Sequence, residues 1–551
     1  MTTDLVDLVA GWARRRPDAR AVTVTDTAAQ VTAHATYCEL DLGARSVASG
    51  LRAAVEPGDR VLLACTTGLD YVLGLLGCWY AGVIAVPIGL SDQSRSPSAA
   101  MAGRIARVVK DCDPAVVLTA ASTPTSVFPT LRALVVTELA AGPRSGWRPP
   151  PADPDRPALL QYTSGSTSSP KGVIVTHANI LSNVADACAA IDADALAAGE
   201  FRLVSWLPLY HDMGLFQLIS ALHQGGHIRL MPPLAFLLRP SAWLAALAED
   251  RAFAATAPDF GYALSADRGA KEADQLDLSS VHALFNGSEP VHRSTIDHFT
   301  ATFADTKLDP EAFLPCYGLA EAVAFVTGMR RPGDARYLAV DPDVLESTGA
   351  AAPPAATGSV RQLVGCGRPI GRIDLRIVDP DTHRPCADRQ AGEIWIAGPN
   401  VSPGYWNNPD QTRAKFGARI AGAAPLYLRT GDIGLLDDGQ LYVLGRIDDM
   451  ITIDGRNHFP QDIESTVADC HPGLALDAVA AFGYPDQGRT RLAIAAETDL
   501  EVSDRRLKLA IRTAVAEEHG VQARRIVLVP PGALPRTTSG KLRRHQCRES
   551  L

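Results

Sequence analysis

The sequence predicts an α/β fold with two domains: a large N-terminal domain of layered α/β subdomains plus a strand-rich part, and a small α+β C-terminal domain. Two observations predict this class. Short apolar strands alternate with helical stretches through the first part of the chain, and a compact β/α unit follows Arg446. We therefore expect an N-terminal domain at residues 1–445 and a C-terminal domain at residues 446–551.

The N-terminal domain begins with an amphipathic helix, because the apolar residues from Leu5 to Trp12 share one face. The strand AVTV and the helix CELDLGARSVASGLRAA follow, and short apolar strands are then predicted at RVLLAC, AVVLTA and ALVVT. The uncharged run from Val72 to Leu90 is long enough to raise the question of a membrane span. An Ala-Gly break and Pro87 interrupt it, so we interpret it as a buried helix, a turn and a buried strand.

The strand-rich part lies around GEIWIAGP and LYLRTGDIGLLDDGQLYVLGR, where DDGQ predicts a hairpin turn. Beyond Arg446 the strands are predicted at MITIDG, AVAAFGY, RLAIAAET and RIVLV. Helices are predicted at QDIESTVADC and from Ser503 to about Glu518. This change of pattern places the domain boundary near Gly445 and Arg446.

Composition excludes several classes of function. The net charge of -9 argues against a nucleic-acid partner held by phosphate neutralisation. The ten cysteines form no CxxC pair and no cluster with histidine, so neither a disulfide framework nor a zinc site is indicated. The N-terminus lacks the apolar core of a secretion signal. We expect a cytoplasmic protein without a membrane span.

The stretch YTSGSTSSPKG, residues 162–172, has eight Ser, Thr or Gly residues among eleven and must be a loop. The apolar runs on both sides predict that it links strand to strand. Its hydroxyls and backbone N–H groups, with Lys171, suit phosphate oxygens, and a hydroxyl-rich surface linker is the alternative. The GxxxxGK[ST] pattern of a Walker A loop is absent, so a nucleotide site here does not imply a P-loop fold.

Six segments in order carry a resemblance that covers nearly the whole chain: YTSGSTSSPKG, FNGSEP, CYGLAEA, RTGDIG, GRIDDMITIDGR and PRTTSGKLRR. Together they resemble the adenylate-forming superfamily of acyl-CoA synthetases, peptide-synthetase adenylation domains and luciferases. SWLPLYHDMGL and DGRNHFPQDIE are most similar to fatty acyl-AMP ligases. The stretch between Gly328 and Gly367 resembles the insertion that those ligases carry.

The resemblance implies ATP-dependent activation of a carboxylic acid, most simply a fatty acid, to acyl-AMP with release of pyrophosphate. It further implies transfer to the phosphopantetheine thiol of an acyl or peptidyl carrier protein. Asn457 stands where many CoA-forming relatives have a basic residue, which favours a carrier protein as acceptor. An acyl-CoA synthetase remains an alternative, as does activation of an aromatic or amino-bearing substrate without thioester formation.

The resemblance also implies residues that bind the nucleotide. A phosphate loop would hold the β- and γ-phosphates through Thr163, Ser164, Gly165, Ser166 and Thr167. Lys171 beside it would act electrostatically or be solvated. Glu321 matches the acidic residue that helps to hold Mg²⁺.

The remaining nucleotide contacts involve the adenosine part of ATP. The two walls of the adenine site would be formed by Tyr317 and Gly318 on one side and by Gly287, Ser288 and Glu289 on the other. Asp432 would accept hydrogen bonds from the ribose hydroxyls. Arg446 would reach the ribose and phosphate.

Two candidate catalytic residues are implied. His211 would lie near the substrate carboxylate and the α-phosphate, where imidazole can donate a hydrogen bond. Lys541, on the C-terminal domain, would contact both groups during adenylation. The resemblance therefore implies that this domain is mobile, with Asp448 at the hinge, and that closure completes the site.

Two departures from the family pattern concern the substrate. Phe216 and Gln217 follow HDMGL where fatty acyl-AMP ligases commonly have small residues, so this bulky pair would shorten the acyl pocket. Asp259 stands where the family tends to have Asn. Its carboxylate would either pair with an amino group of the substrate or cap a turn or helix.

Overall fold

The structure, a computed structural model, describes residues 4–90, 99–143, 146–163, 170–193, 196–197, 199–328, 336–356, 359–422, 425–453, 456–475, 478–486, 489–499, 504–536 and 542–550. Along these residues, sixteen α-helices alternate with twenty-seven short strands, which confirms the predicted α/β class. The helices are α1 (Leu5–Arg15), α2 (Tyr37–Arg52), α3 (Leu69–Ala81), α4 (Ala99–Cys112), α5 (Val136–Ala140), α6 (His177–Ala190), α7 (Asp212–His223), α8 (Pro233–Leu238), α9 (Ser241–Glu249), α10 (Asp259–Gly269), α11 (Arg293–Thr302), α12 (Pro342–Thr348), α13 (Pro409–Phe416), α14 (Pro460–Asp469), α15 (Asp504–His519) and α16 (Arg544–Ser550).

The strands fall into two long sheets and several smaller ones. They are β1 (Arg20–Thr25), β2 (Val31–Thr36), β3 (Arg60–Ala64), β4 (Ile84–Pro87), β5 (Val116–Thr119), β6 (Ala133–Val135), β7 (Pro157–Thr163), β8 (Lys171–Thr176), β9 (Arg202–Ser205), β10 (His227–Leu230), β11 (Ala254–Ala257), β12 (Ala283–Asn286), β13 (Phe313–Pro315), β14 (Thr327–Gly328), β15 (Tyr337–Val340), β16 (Arg361–Val364), β17 (Arg368–Pro369), β18 (Asp374–Val378), β19 (Gly392–Ala397), β20 (Gly404–Tyr405), β21 (Leu428–Asp437), β22 (Gln440–Arg446), β23 (Ile451–Ile453), β24 (Arg456–His458), β25 (Val479–Asp486), β26 (Arg489–Glu497) and β27 (Ala523–Val529).

The chain forms two compact units. Unit 1 comprises Met1–Ala335, Gly367–Asp374 and Ala397–Ala418, and unit 2 comprises Arg336–Cys366, Leu375–Ile396 and Arg419–Leu551. Unit 2 thus takes in strand-rich segments that precede the predicted boundary near Gly445 and Arg446. The division into domains at residues 1–445 and 446–551 stays a prediction.

Unit 1 contains two seven-stranded sheets, each mainly parallel. One has the order β13-β12-β11-β9-β10-β1-β2 and the other β20-β8-β7-β4-β3-β5-β6. Strands β8 and β20 run antiparallel to their neighbours at one end of the second sheet. In α/β sheets of this kind, ligands bind beyond the carboxyl ends of the parallel strands.

The uncharged run Val72–Leu90 forms most of α3 and all of β4, as predicted. Gly82 ends the helix in the left-handed region at φ 80°, which a glycine adopts without steric cost. Strand β4 then lies between β3 and β7, and all four of its residues are buried. Within the described residues, no helix is long and apolar enough to cross a membrane.

Unit 2 is built around a four-stranded sheet, β18-β19-β21-β22, and a three-stranded sheet, β25-β26-β27. The predicted DDGQ turn joins β21 to β22, with Asp437 paired to Gln440. Asp438 and Gly439 have φ values of 51° and 73°, as a two-residue hairpin turn requires. Helices α14 and α15 pack on the three-stranded sheet through Ile463, Val467 and Ile511.

Candidate active site

The predicted phosphate loop joins two antiparallel strands, as its flanking sequences indicate. Thr163 ends β7 and pairs with Lys171, which begins β8. The loop residues Ser164, Gly165, Ser166 and Thr167 and the side chain of Thr163 lie outside the described residues. Their phosphate-binding role stays a prediction, while the strands that carry the loop are in place.

Lys171 has specific partners in unit 1. Its Nζ donates to Oε1 of Gln411 at 3.2 Å. The same nitrogen lies 5.5 Å from the centroid of the Tyr405 ring, within the range of a cation–π contact. These contacts hold the ammonium group beside the loop, so the lysine is not simply solvated.

Glu321 lies in a 3₁₀ turn, Ala320–Ala322, after β13. Its Oε1 accepts a hydrogen bond of 2.8 Å from the hydroxyl of Tyr405. Val323, next to the turn, has φ 72°, a conformation that strains a β-branched residue and needs support from its surroundings.

That support comes from the segment before β20 and from helix α6. The backbone N–H of Ser402 donates to the carbonyl of Glu321 at 2.9 Å. The amide of Asn400 donates to the carbonyl of Ala322 at 3.2 Å. The carbonyl groups of Glu321 and Ala322 are therefore both fixed by hydrogen bonds from the segment before β20.

Helix α6 secures both of these segments from the opposite side. Asn179 donates to the carbonyls of Pro399 and Val401 at 2.8 and 3.1 Å. One turn later, the fully buried Asn183 donates to the carbonyl of Phe325 at 2.5 Å and accepts from its N–H at 3.0 Å. Sequence analysis missed these amides, whose only sequence signal is two Asn residues four apart on a mainly apolar helix.

Tyr317 and Gly318 lead into the same turn. Tyr317 is buried and pairs with Thr327 through hydrogen bonds of 3.0 and 3.1 Å. A Cβ at Gly318 would lie 1.5 Å from the carbonyl oxygen of Ala324, so only glycine allows the backbone to double back here. The tight loop 317–327 is thus dictated by Gly318.

The predicted second wall of the adenine site follows β12. Gly287 passes close to Cys316, because a Cβ there would lie 2.8 Å from the Cys316 carbonyl oxygen. Ser288 has φ 74°. Glu289 Oε1 accepts a hydrogen bond of 2.7 Å from the N–H of Phe260, near the start of α10. The backbone thus brings the two predicted adenine segments together, and the Glu289 carboxylate supports α10.

His211 directly precedes α7, on a segment fixed by two buried side chains. Tyr71 donates to the carbonyl of Leu209 at 2.7 Å, and Gln161 donates to the carbonyl of Tyr210 at 2.8 Å. Nδ1 of His211 lies 2.6 Å from Oδ1 of Asp212. Because a carboxylate only accepts, this contact places a proton on Nδ1 and leaves Nε2 for another partner.

Phe216 and Gln217 lie on α7 as a stacked ring and a buried amide. The Phe216 ring stacks on Phe325 with centroids 6.2 Å apart, and Phe325 meets Phe285 edge to face at 5.4 Å. Phe216 also lines a narrow apolar cavity together with Leu215 and Ile219. The Gln217 amide is buried with no hydrogen-bond partner among the described residues, so this position brings polarity as well as bulk.

Asp259 is buried at the start of α10, and its polar contacts come from the chain itself. The carboxylate accepts from Asn286 Nδ2 at 2.8 Å, from Thr295 Oγ1 at 2.7 Å and from the His292 N–H at 3.2 Å. It also lies 3.1 Å from His292 Nδ1. This arrangement ties α10 to α11 and favours the structural alternative over pairing with an amino group of a substrate.

In unit 2, Asp432 and Arg446 are cross-strand neighbours on β21 and β22; their contacts with the ribose stay a prediction. Arg446 Nε lies 3.4 Å from Asp432 Oδ1. Arg446 is half-exposed and Asp432 is partly buried. Asp448 follows in the 3₁₀ turn Ile447–Asp449 and is exposed; its role as a hinge stays a prediction.

Lys541 lies outside the described residues. The residues that flank it are firmly held, because Arg536 pairs with Leu542 in an antiparallel bridge. Arg544 binds Glu464 through hydrogen bonds of 2.6 and 2.7 Å. Burial opposes the charge of Arg544, but Glu464 and Asp449 outweigh it and raise the pKa of this guanidinium above its ordinary value.

The fold and these motifs define an adenylate-forming enzyme. The chain belongs to the AMP-binding enzyme family, whose model matches residues 9–406. Residues 448–550 match a second model, the AMP domain of Disco-interacting protein 2-like proteins.

Several of the similar proteins are fatty acid ligases. The chain is 36% identical to the medium-chain-fatty-acid–[acyl-carrier-protein] ligase JamA of Moorena producens, over 93% of this chain and 89% of JamA. It is 35% identical to the long-chain-fatty-acid–AMP ligase FadD26 of Mycobacterium tuberculosis, over 98% and 95% of the two chains. The fatty acyl-adenylate ligase of L. pneumophila, solved with acyl adenylate and pyrophosphate, superposes with a TM-score of 0.77 at 35% identity, over 99% and 96% of the chains.

Proposed function

We propose that this enzyme activates a fatty acid with ATP and transfers the acyl group to the phosphopantetheine thiol of a carrier protein. The observation that carries the proposal is the set of fixed loops around Glu321 and His211 in a chain of this family. The names of the similar proteins support it, since JamA is a carrier-protein ligase and FadD26 an AMP ligase.

In the first step a carboxylate oxygen of the acid attacks the α-phosphorus of ATP. A P–O bond to the acid forms as the bond to the bridging oxygen breaks, and pyrophosphate leaves. Two anions must approach, so the site needs fixed positive charge and hydrogen-bond donors. Lys541 would supply the charge at the carboxylate and α-phosphate, and Lys171 would act at the phosphate loop. His211, whose Nδ1 faces Asp212, would donate through Nε2 when both ring nitrogens carry a proton.

Glu321 fits a Mg²⁺ ligand. One oxygen of its carboxylate is held by Tyr405, and the other has no hydrogen-bond partner among the described residues. Mg²⁺ typically binds one or two protein carboxylates along with phosphates. When bound, the ion would neutralise charge on the phosphates. Asp432 and Arg446 would contact the ribose.

In the second step the phosphopantetheine sulfur attacks the acyl carbonyl carbon. The C–S bond forms as the bond from carbon to the phosphate oxygen breaks, and AMP leaves. Asn457, the position that favours a carrier protein over CoA, lies in the β23–β24 hairpin and accepts a hydrogen bond of 2.9 Å from Thr452.

Mass spectrometry of reactions with ATP, Mg²⁺ and a panel of fatty, aromatic and amino acids, without a thiol, tests the first step. We expect an acyl-AMP mass from medium or long fatty acids. An adenylate from aromatic or amino acids alone would contradict the fatty-acid substrate. For the second step, the rate of thioester formation is compared for a phosphopantetheinylated carrier protein and for free CoA at equal concentration. Equal rates would contradict the proposal that a carrier protein is the acceptor.

A further inference from the structure

Tyr405 lies between two charged residues of the candidate site. Strand β20 places it beside β8, where Tyr405 pairs with Val173 two residues after Lys171. Its hydroxyl donates to Glu321 Oε1 at 2.8 Å, and the Lys171 Nζ lies 5.5 Å from its ring centroid. The side chain is 5% exposed, so both contacts lie largely out of water.

We propose that Tyr405 is a positioning residue of the adenylation reaction, which orients the Glu321 carboxylate toward the Mg²⁺ of bound ATP. The inference rests on the proposed function, because it assigns the metal site of that reaction. A hydrogen bond to one carboxylate oxygen fixes the plane of the group and leaves the second oxygen for the metal. Partners of this kind around metal ligands commonly set metal affinity.

The tyrosine also contacts two opposite charges, those of Glu321 and Lys171. A lysine in direct contact with Glu321 would form an ion pair and occupy the carboxylate. Tyr405 instead offers its hydroxyl to the carboxylate and the face of its ring to the ammonium group. One side chain thereby contacts the carboxylate and the ammonium group through different atoms.

The position of the ring does not depend on its hydroxyl. The Tyr405 N–H donates to Thr412 Oγ1 at 3.0 Å. Phe416 meets the ring edge to face with centroids 5.2 Å apart. Tyr405→Phe therefore removes the bond to Glu321 and leaves the ring and its contact with Lys171 in place.

The experiment measures the affinity of the full-length protein for α,β-methylene-ATP by calorimetry, in EDTA and across a Mg²⁺ titration. This analogue cannot be cleaved at the reacting bond, so the readout is independent of activity. In Tyr405→Phe we expect the gain in affinity from Mg²⁺ to fall by about tenfold, with the affinity in EDTA unchanged.

Tyr80→Phe is the matched control. The Tyr80 hydroxyl is also buried and donates to a carboxylate, Asp41 Oδ1, at 2.9 Å. Asp41 is on α2, outside the candidate site. We expect a similar loss of melting temperature in both variants and an unchanged Mg²⁺ effect in Tyr80→Phe.

A double-mutant cycle separates positioning from a general structural effect. In the Glu321→Gln background, Tyr405→Phe should cause no further loss of the Mg²⁺ effect. The inference would be overturned if Mg²⁺ raised the analogue affinity of Tyr405→Phe as much as that of the wild type. It would also be overturned if Tyr405→Phe reduced the Mg²⁺ effect equally in the Glu321→Gln background, or if the wild-type affinity did not respond to Mg²⁺. Failure of the proposed function is distinct: the wild type would then make no acyl-AMP in the mass-spectrometry assay while the Tyr405→Phe effect on analogue binding persists.

Discussion

Replacement of Asn183 by leucine should loosen the loop that carries Glu321. Asn183 is fully buried on α6, and its amide makes two hydrogen bonds with the backbone of Phe325. Leucine has the same number of side-chain heavy atoms with the same branching, but it can neither donate nor accept a hydrogen bond. Asn183→Leu therefore removes both bonds without creating a large cavity.

The size of the effect follows from the groups left behind. The Phe325 N–H loses its bond to Asn183, and its carbonyl retains a long contact with Asn400 at 3.5 Å. A buried polar group without a partner costs about 1–3 kcal/mol, so we expect the loop to lose about 2–4 kcal/mol of local stability. This corresponds to amide hydrogen exchange about 30- to 1,000-fold faster at Phe325.

Hydrogen exchange read by mass spectrometry on peptides that cover residues 317–328 measures this change. Peptides from β25 and β26, in unit 2, serve as the internal control and should exchange at the wild-type rate. Exchange within about twofold of wild type at Phe325 would refute the reasoning, because it would mean that the Asn183 amide does not hold the loop.

Three other changes test separate parts of the molecule. Lys541→Ala should reduce acyl-AMP formation at least about a hundredfold with little loss of ATP binding, and an unchanged rate would contradict its role. Phe216→Ala removes the ring stacked on Phe325 and should raise kcat/KM for longer acids about tenfold relative to shorter ones; an unchanged chain-length profile would exclude Phe216 as the limit of the pocket. Burial lowers the pKa of His177 from its ordinary value of 6.5 to about 3. Between pH 6.5 and 5 the folded state therefore binds fewer protons than the unfolded state, so the free energy of unfolding should fall by about 2 kcal/mol as the pH is lowered over this range. Urea unfolding at several pH values should show that the free energy of unfolding depends less on pH in His177→Gln than in the wild type. The same pH dependence in both proteins would contradict the role assigned to His177.

Local patterns predicted much of the fold. The run from Val72 to Leu90 became a helix, a left-handed glycine turn and a buried strand because an Ala-Gly break and Pro87 allow nothing longer. The DDGQ turn formed where predicted, since Asp438 and Gly439 tolerate positive φ. These outcomes depend on a few neighbouring residues, which a single sequence displays.

Local sequence patterns did not predict how segments group into the two compact units. Segments such as Arg336–Cys366 and Leu375–Ile396 group with the C-terminal part of the chain although unit 1 segments interrupt them. Such grouping depends on which apolar faces meet after folding. The alternation of apolar residues within a strand carries no information about this grouping.

For the candidate site, too, the sequence predicted some features and only the tertiary structure showed others. The family resemblance carried by the ordered motifs indicated adenylation and supplied Glu321, Asp432 and Lys541 as predicted site residues. Only the tertiary structure brought Tyr405 from more than eighty residues away onto Glu321, and only it enclosed Asp259 among Asn286, His292 and Thr295. The physical reason is that a motif fixes the chemical type of a group, whereas its hydrogen-bond partners and burial depend on long-range packing.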